Sequence, residues 1–374
     1  MTNKEITKVI FNNAEISALY YGDVLIWEKG NTAEYGVNTL AGKFTDDSTE
    51  SDWYWEPNKT FYLQSNKINI ADKVDPTTKE FCFDYTVNNL MCCFNNKKIE
   101  KIYHLPLCKG NDLYNMIYYC PSLTSINLSD FDTSNCTNME SMFSGFIALT
   151  SLDLSNFDTS KVTNMKKMFH DCNNLQTLDL SNFDTSKVTK LSDMFSMCES
   201  LTPINLSNFD TSNVTNMDFL FQNCTSLTSL DLSNFDTSNC TNMESMFSGC
   251  KALTSLDLSN FDTSKVTNMR YLFYNCYSLE TLNLNFNTTA VTNMGSMFYY
   301  CSGLTTVTGV FEGTKVDLDL HFSPLTNASA MVFINGLANV EETKTITFKS
   351  TTYNTLTEEQ IAVATSKGWT VISA

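Results

Sequence analysis

Aspartates recur at a fixed interval along this sequence and together could hold a divalent cation. One column, in the phrase L-D-L, contains Asp153, Asp179, Asp231 and Asp257. A second, in the phrase F-D-T-S, contains Asp132, Asp158, Asp184, Asp210, Asp236 and Asp262. Stacked carboxylates repel, so Ca²⁺ between them would be stabilising, but Ca²⁺ needs roughly six to eight oxygens and no glycine-rich calcium loop is present. We therefore favour turn capping on a solvated acidic surface without a cofactor, with Ca²⁺ as the alternative.

Cysteines also recur at one position of the same interval. They are Cys120, Cys172, Cys198, Cys224, Cys250, Cys276 and Cys301. Phe146 occupies this position in one copy, which indicates an apolar environment. No C-x-x-C motif or paired histidine accompanies the column, so a metal site is not favoured. The column predicts buried free thiols, which fits folding in a reducing cytoplasm.

Few residues of this chain could support catalysis. Its three histidines, His104, His170 and His321, lie in three different contexts. The sequence contains no G-x-S-x-G, H-E-x-x-H or P-loop motif. Regular repetition also works against a unique catalytic arrangement. We therefore expect a protein that is not an enzyme.

Aromatic residues at positions that differ between copies are the better candidates for binding. These are Phe219, Tyr271, Tyr274, Tyr277, Tyr299 and Tyr300. Tyrosine gives protein and glycan contacts both an apolar ring and a hydroxyl. The alternative is that these tyrosines pack against the segments that cover the two ends of the repeat array. We include the L-D-L aspartates as weaker binding candidates, because they would line an exposed surface.

The aspartate, cysteine and aromatic positions belong to one phrase, whose phenylalanine recurs every 26 residues from Phe131 to Phe261. In one copy, Leu152-Asp153-Leu154 alternates as a short strand does, and residues 155–160 are polar turn formers. Apolar residues from Val162 to Cys172 then recur at gaps of three and four, which predicts a short helical turn. One such unit cannot bury its own apolar side, so the period predicts a stacked solenoid.

The phrase F-D-T-S-K-V-T-N-M-x-x-M-F-x-x-C resembles the repeat of BspA-like leucine-rich-repeat surface proteins over about residues 86–310. The resemblance implies an α/β repeat solenoid, a right-handed stack with one short strand and one short helical turn per coil. It also implies a role in surface adhesion.

The flanking segments have different patterns. We predict a β attachment module at 1–30, a β-rich N-terminal cap at 31–85, the solenoid at 86–310 and an α/β cap at 311–374. Strands are expected at 9–11, 16–21 and 24–27, and Trp53 and Trp55 are placed in a polar loop. Residues 327–337 and those following a capping box at Thr357 and Gln360 predict helices. The phrase I-x-A-L-Y-Y-G-D-x-L-I-W resembles N-terminal modules of bacteriophage virion proteins; an ordinary hairpin cap is the alternative.

Charge narrows the range of partners. The chain carries 24 basic and 41 acidic residues, a net charge of −17. This argues against nucleic acid and anionic membranes, and no apolar run is long enough for membrane insertion. The start lacks the pattern of a secretory signal.

These features together suggest an adhesive protein of a phage virion, associated with a tail or head fibre. It would be synthesised in the host cytoplasm and displayed on the virion surface. Its partners would be other virion subunits and a bacterial surface protein or glycan, and a homo-oligomer is compatible with this role. A bacterial cell-surface adhesin is the alternative.

Overall fold

The computed structural model describes residues 112–129 and 131–374 in full, and seven short strands before them. Those strands are β1 Ala18–Tyr21, β2 Val24–Glu28, β3 Gly42–Thr45, β4 Glu50–Trp55, β5 Thr60–Leu63, β6 Glu80–Phe83 and β7 Lys101–Ile102. β1 and β2 form an antiparallel hairpin, which confirms two of the three strands predicted near the N-terminus. The third, at 9–11, lies outside the described residues.

Strands β3 to β7 join β8 (Ser125–Ile126) in one six-stranded sheet. β3, β4 and β5 pair antiparallel, whereas β5 to β8 pair parallel. Trp53 and Trp55 lie inside β4, so their predicted loop placement is wrong. Aromatic residues favour strands, and β4 is paired on both edges. The change from antiparallel to parallel pairing occurs at β5, which pairs antiparallel with β4 and parallel with β6.

The repeats form a parallel solenoid, as predicted. Its further strands are β9 Ser151–Leu152, β10 Thr177–Leu178, β11 Ser255–Leu258, β12 Thr281–Asn287 and β13 Thr306–Glu312. β9 pairs with β10, and β11, β12 and β13 pair in order, all parallel. Leu256 lies opposite Leu282, and Leu282 opposite Val307, so equivalent positions of successive coils are in register. Alternate side chains of β11 point into the core and into solvent.

A second ladder of backbone contacts follows the M-x-x-M-F-x-x-C segment. Parallel bridges there join Asn138 to Asn164, Asn164 to Lys190, and equivalent residues as far as Asn293. The N–H groups of Met165 and Phe169 donate to carbonyls of the next coil at 3.0 Å each. Met168 N–H instead donates three residues back, to Met165 O at 3.2 Å. The segment is thus a run of tight turns where a helical turn was expected, because four-residue turns give the same apolar spacing as a helix.

Columns of equivalent apolar residues fill the solenoid. The most regular column contains Phe143, Phe169, Phe195, Phe221, Phe247, Phe273 and Phe298. Their neighbouring ring centroids are 5.5–6.0 Å apart, with interplanar angles of 5–21°. Leucine, methionine and cysteine columns are buried beside these rings. The core is therefore continuous along the stack rather than divided between coils.

After β13 the chain forms α1 Asn327–Gly336, α2 Ser350–Tyr353, α3 Glu358–Thr365 and a parallel sheet of β14 Leu318–Leu320, β15 Lys344–Phe348 and β16 Trp369–Ser373. Both predicted helices are confirmed, as is the capping box of Thr357 and Gln360. Phe333 of α1 packs edge-on against Phe298, at the end of the phenylalanine column. Among the described residues, no helix combines the length and apolar character needed to cross a membrane.

Candidate functional site

The L-D-L aspartates cap their own turns. Asp153 Oδ1 accepts the N–H of Ser155 at 3.0 Å, and the other three aspartates make the equivalent bond. Hydrogen bonds from the N–H and hydroxyl of that serine hold the pKa of each aspartate below its usual value. These bonds confirm that the aspartates cap turns. Within the described residues, no three potential ligands among His, Cys, Asp and Glu converge on a common point.

The turn formed by residues 155–160 and its equivalents constitutes what we call the constant face. Thr159, 1% exposed, donates through Oγ1 to Asp184 O of the next coil at 2.9 Å and accepts Asp184 N–H at 2.8 Å. Asn182 Nδ2 donates back to Leu154 O and Phe157 O at 3.0 and 2.8 Å. These side chains join neighbouring coils. Sequence reasoning assigned them only to turns, although their presence in nearly every copy was a signal of this further role.

The cysteines of the described coils are buried in the core, as predicted. Nine cysteines lie in the fully described part of the chain; all nine are buried, and no disulfide bond joins them. Cys172 Sγ donates to Phe143 O of the preceding coil at 3.2 Å. Burial raises the pKa of Cys172, Cys250 and Cys301 to about 12. These thiols are therefore part of the core and not reactive groups.

Positions 166, 167, 170 and 171 and their equivalents form what we call the variable face, because their side chains differ from coil to coil. Every second one of them, including Lys167, Asp171, Phe219 and Tyr271, has a left-handed backbone with φ near 60°. The neighbouring coils are joined here by backbone N–H and carbonyl groups. The side chains of the variable face are therefore not needed to join neighbouring coils, whereas those of the constant face are.

The structure brings the five candidate tyrosines together at one end of the variable face. Tyr274 stacks on Tyr299 at 5.5 Å with an interplanar angle of 6°, and Tyr271 meets Tyr274 edge-on at 5.2 Å. Tyr300 lies 4.4 Å from Tyr299 and 6.2 Å from Tyr277. Tyr277 and Tyr300 remain 41% and 39% exposed. We call these five residues the tyrosine cluster.

Two residues that sequence reasoning missed extend this cluster. Phe322 lies 4.4 Å from Tyr299 and 4.5 Å from Tyr300, between ring centroids. His321 contacts Phe322 at 3.8 Å, and its Nδ1 is 2.6 Å from Asp319 Oδ1. Both follow β14, outside the repeats, so no periodic signal could indicate them. Tyr299 and Tyr300 thus pack partly on the C-terminal segment, as the alternative interpretation of the tyrosines expected.

A groove of about 550 Å³ opens on the N-terminal side of the tyrosine cluster. It is lined by Gln222, Ser245, Ser248, Tyr271, Tyr274, Ser296 and Tyr299. These residues come from four successive coils, and none carries a charge. Arg270 lies nearby, with its guanidinium 4.4 Å above the Tyr271 ring and Nη2 donating to the Tyr271 hydroxyl at 2.8 Å.

The remaining candidates lie elsewhere. Phe219 is on the variable face two coils before Tyr271, and no ring contact joins it to the tyrosine cluster in the described part of the chain. The L-D-L aspartates lie on the strand ladder, a different column of the coil. Near the start of the variable face, burial lowers the pKa of His170 and raises that of Asp193. The variable face therefore has a titratable part and an aromatic part.

Comparison with known proteins identifies one family. The family described as "Mycoplasma protein of unknown function, DUF285" matches residues 111–205 and 200–309, more than half of the 374-residue chain. No curated protein matches the chain.

Proposed function

The chain belongs to the DUF285 family, and we propose that it is a non-enzymatic adhesin whose variable face binds a surface protein or glycan. The tyrosine cluster is the observation that carries this proposal. Its rings hold one another in place on a rigid stack, while Tyr277 and Tyr300 remain exposed. Tyrosines held in this way lose little conformational freedom on binding, and tyrosine is enriched among residues that dominate binding energy.

The absence of an enzymatic role is part of the same proposal. The repeated aspartates, threonines and asparagines of the described coils are used by their own turns and neighbouring coils. The net charge of −17 favours partners other than nucleic acid.

The proposed location is the surface of a phage virion, where residues 1–30 would attach the protein to other virion subunits. The support is the resemblance of that segment to virion modules, within which β1 and β2 form a hairpin. Display on a bacterial cell surface is the second candidate, and the resemblance of the repeats to BspA-like surface proteins favours it.

The test is binding of the purified full chain to whole bacterial cells, with and without EDTA. We expect saturable binding that EDTA leaves unchanged, because the aspartates cap turns. EDTA sensitivity would favour the Ca²⁺ alternative, and failure to bind any cell surface would contradict the adhesin. Mass spectrometry of purified virions then decides between the two locations, because only the first proposal requires the protein in the particle.

A further inference from the structure

One column of the variable face contains a stack of rings that stops abruptly. It is the position after the core phenylalanine, occupied in four successive coils by Gln222, Ser248, Tyr274 and Tyr299. Tyr299 covers one face of the Tyr274 ring at 5.5 Å. In the preceding coil this position is Ser248, so no ring of the column stacks on the opposite face of Tyr274. The groove described above is this interruption of the stack.

The surroundings of the uncovered ring face are polar but uncharged. Among the described residues, no side-chain hydrogen bond engages the hydroxyls of Ser245, Ser248 or Ser296. Gln222 Oε1 accepts a hydrogen bond from Ser196 Oγ at 3.3 Å, which leaves the Gln222 amide N–H groups able to donate across the groove. Tyr271 also lines the groove, with its ring at 75° to that of Tyr274 and the two centroids 5.2 Å apart. The groove therefore offers one aromatic platform and several unused donors and acceptors.

We infer that this groove binds one neutral sugar ring of a surface glycan, stacked on the uncovered face of Tyr274. The inference rests on the proposed function and names its ligand class. A pyranose presents C–H groups from one face, which suit the negative face of an aromatic ring, and hydroxyls around its rim. Gln222 and Ser296 are the partly exposed polar side chains placed to bond those hydroxyls, whereas Ser245 and Ser248 are buried.

The dimensions agree with such a ligand. Gln222 and Tyr274 are two coils apart, about 10 Å at the usual spacing of parallel strands. A ring midway between them would lie about 5 Å from each, close to the 5.5 Å that separates the stacked rings of Tyr274 and Tyr299. The volume of about 550 Å³ lies within the range of small-ligand sites. An anionic sugar is less well served, because none of the lining residues is charged and the nearby Arg270 guanidinium is engaged by the ring and hydroxyl of Tyr271.

The chain provides a matched pair of positions for the test. Residues 131–145 and 235–249 have the same sequence, F-D-T-S-N-C-T-N-M-E-S-M-F-S-G, so Ser144 and Ser248 are equivalent. Only Ser248 lines the groove. Ser248→Tyr would continue the tyrosine stack and fill the interruption, whereas Ser144→Tyr makes the same change away from it. Tyr274→Ala removes the platform without adding volume, in case the filled variant folds poorly.

The experiment measures binding of these full-length variants to whole bacterial cells and, by calorimetry, to lactose, maltose, cellobiose and chitobiose, with sialyllactose as the charged comparison. We expect wild type to bind at least one neutral sugar. Ser248→Tyr and Tyr274→Ala should weaken that binding about tenfold or more, as loss of a dominant contact does. Ser144→Tyr should leave it within about twofold.

The results that would overturn the sugar site differ from those that would overturn the proposed adhesin. If wild type binds cells but no neutral sugar, the sugar site is wrong and the adhesin stands. The same conclusion follows if protease treatment of the cells abolishes binding while periodate treatment of the cells does not. Binding of sialyllactose alone, or equal losses in Ser144→Tyr and Ser248→Tyr, also overturns the sugar site. If neutral sugars bind and cells do not, the adhesin is wrong and the sugar site stands. If neither binds, both are wrong.

Discussion

The constant face and the variable face hold neighbouring coils together by different means. On the constant face, side chains make the bonds: Thr185 Oγ1 donates to Asp210 O at 3.0 Å and accepts Asp210 N–H at 2.7 Å. On the variable face, backbone groups make them: Lys167 N–H donates to Ser192 O at 3.0 Å, and Asp171 N–H to Ser196 O at 2.8 Å. The same stacking is therefore achieved with and without the help of side-chain chemistry.

This difference explains where the repeats are free to vary. Replacing Thr185 or its equivalents removes an inter-coil bond and leaves buried backbone groups without partners. Replacing Lys167 or His170 leaves the inter-coil backbone bonds of that face in place. Each coil thus separates the side chains that join it to its neighbours from the side chains that are free to vary.

The largest contrast should occur between two adjacent residues. Phe273 is completely buried between Phe247 and Phe298, whereas Tyr274 is only half-buried on the variable face. We expect Phe273→Ala to lower the free energy of unfolding by about 3–5 kcal/mol. Tyr274→Ala should lower it by about 1 kcal/mol, the worth of an aromatic pair. Urea unfolding of both variants measures the contrast, and equal losses would contradict a structural difference between core and face.

The inter-coil threonine bond should have the next largest effect. Thr185→Val keeps the shape of the side chain but leaves two backbone groups of Asp210 without this partner, so we expect a loss of about 1–3 kcal/mol in the free energy of unfolding. Thr163 also bonds the preceding coil, through Oγ1 to Thr137 O at 3.1 Å, but is exposed. Thr163→Val is the control and should stay within about 0.5 kcal/mol. A neutral Thr185→Val would refute the role given to the constant face.

The variable face should respond to mild acid through His170. Burial lowers its pKa in the folded protein, with Lys167 acting in the same direction and Asp193 and Asp171 opposing it. Below the unfolded value of about 6.5, the unfolded chain takes up a proton more readily than the folded one. Stability should therefore be full above pH 7 and decline as the pH falls below about 6.5. His170→Gln should flatten this part of a pH–stability curve; an unchanged curve would show that His170 is not the group responsible.

The constant face should respond only to stronger acid, and weakly per residue. Hydrogen bonds from the hydroxyl and N–H of Ser160 lower the pKa of Asp158. A lowered carboxyl pKa contributes stability above the unfolded value of about 3.9, and that contribution is lost as the pH falls through the folded value. Asp158→Asn keeps the acceptor oxygen and removes the titration. We expect unchanged melting at pH 7 and a smaller acid-induced drop near pH 3; a large loss at pH 7 would show that the charge itself matters.

The sequence by itself determined the solenoid, its period, the buried cysteines and two helices of the C-terminal segment. Each follows from short-range patterns: a 26-residue recurrence, alternation in L-D-L, or a capping box at Thr357. The tyrosines were also recognisable, because they interrupt an otherwise regular phrase. Such patterns need no knowledge of which coil lies beside which segment.

Only the tertiary structure decided how the variable face is built. Apolar spacing could not separate tight turns from a helical turn, because the backbone bonds that distinguish them reach the next coil. The repeat pattern could not predict the contacts of His321 and Phe322 with Tyr299, since His321 and Phe322 lie outside the repeats. Nor could it show the groove at Ser248. That groove exists because parallel stacking places residues 26 positions apart within about 5 Å, so one small side chain opens a gap between its larger neighbours.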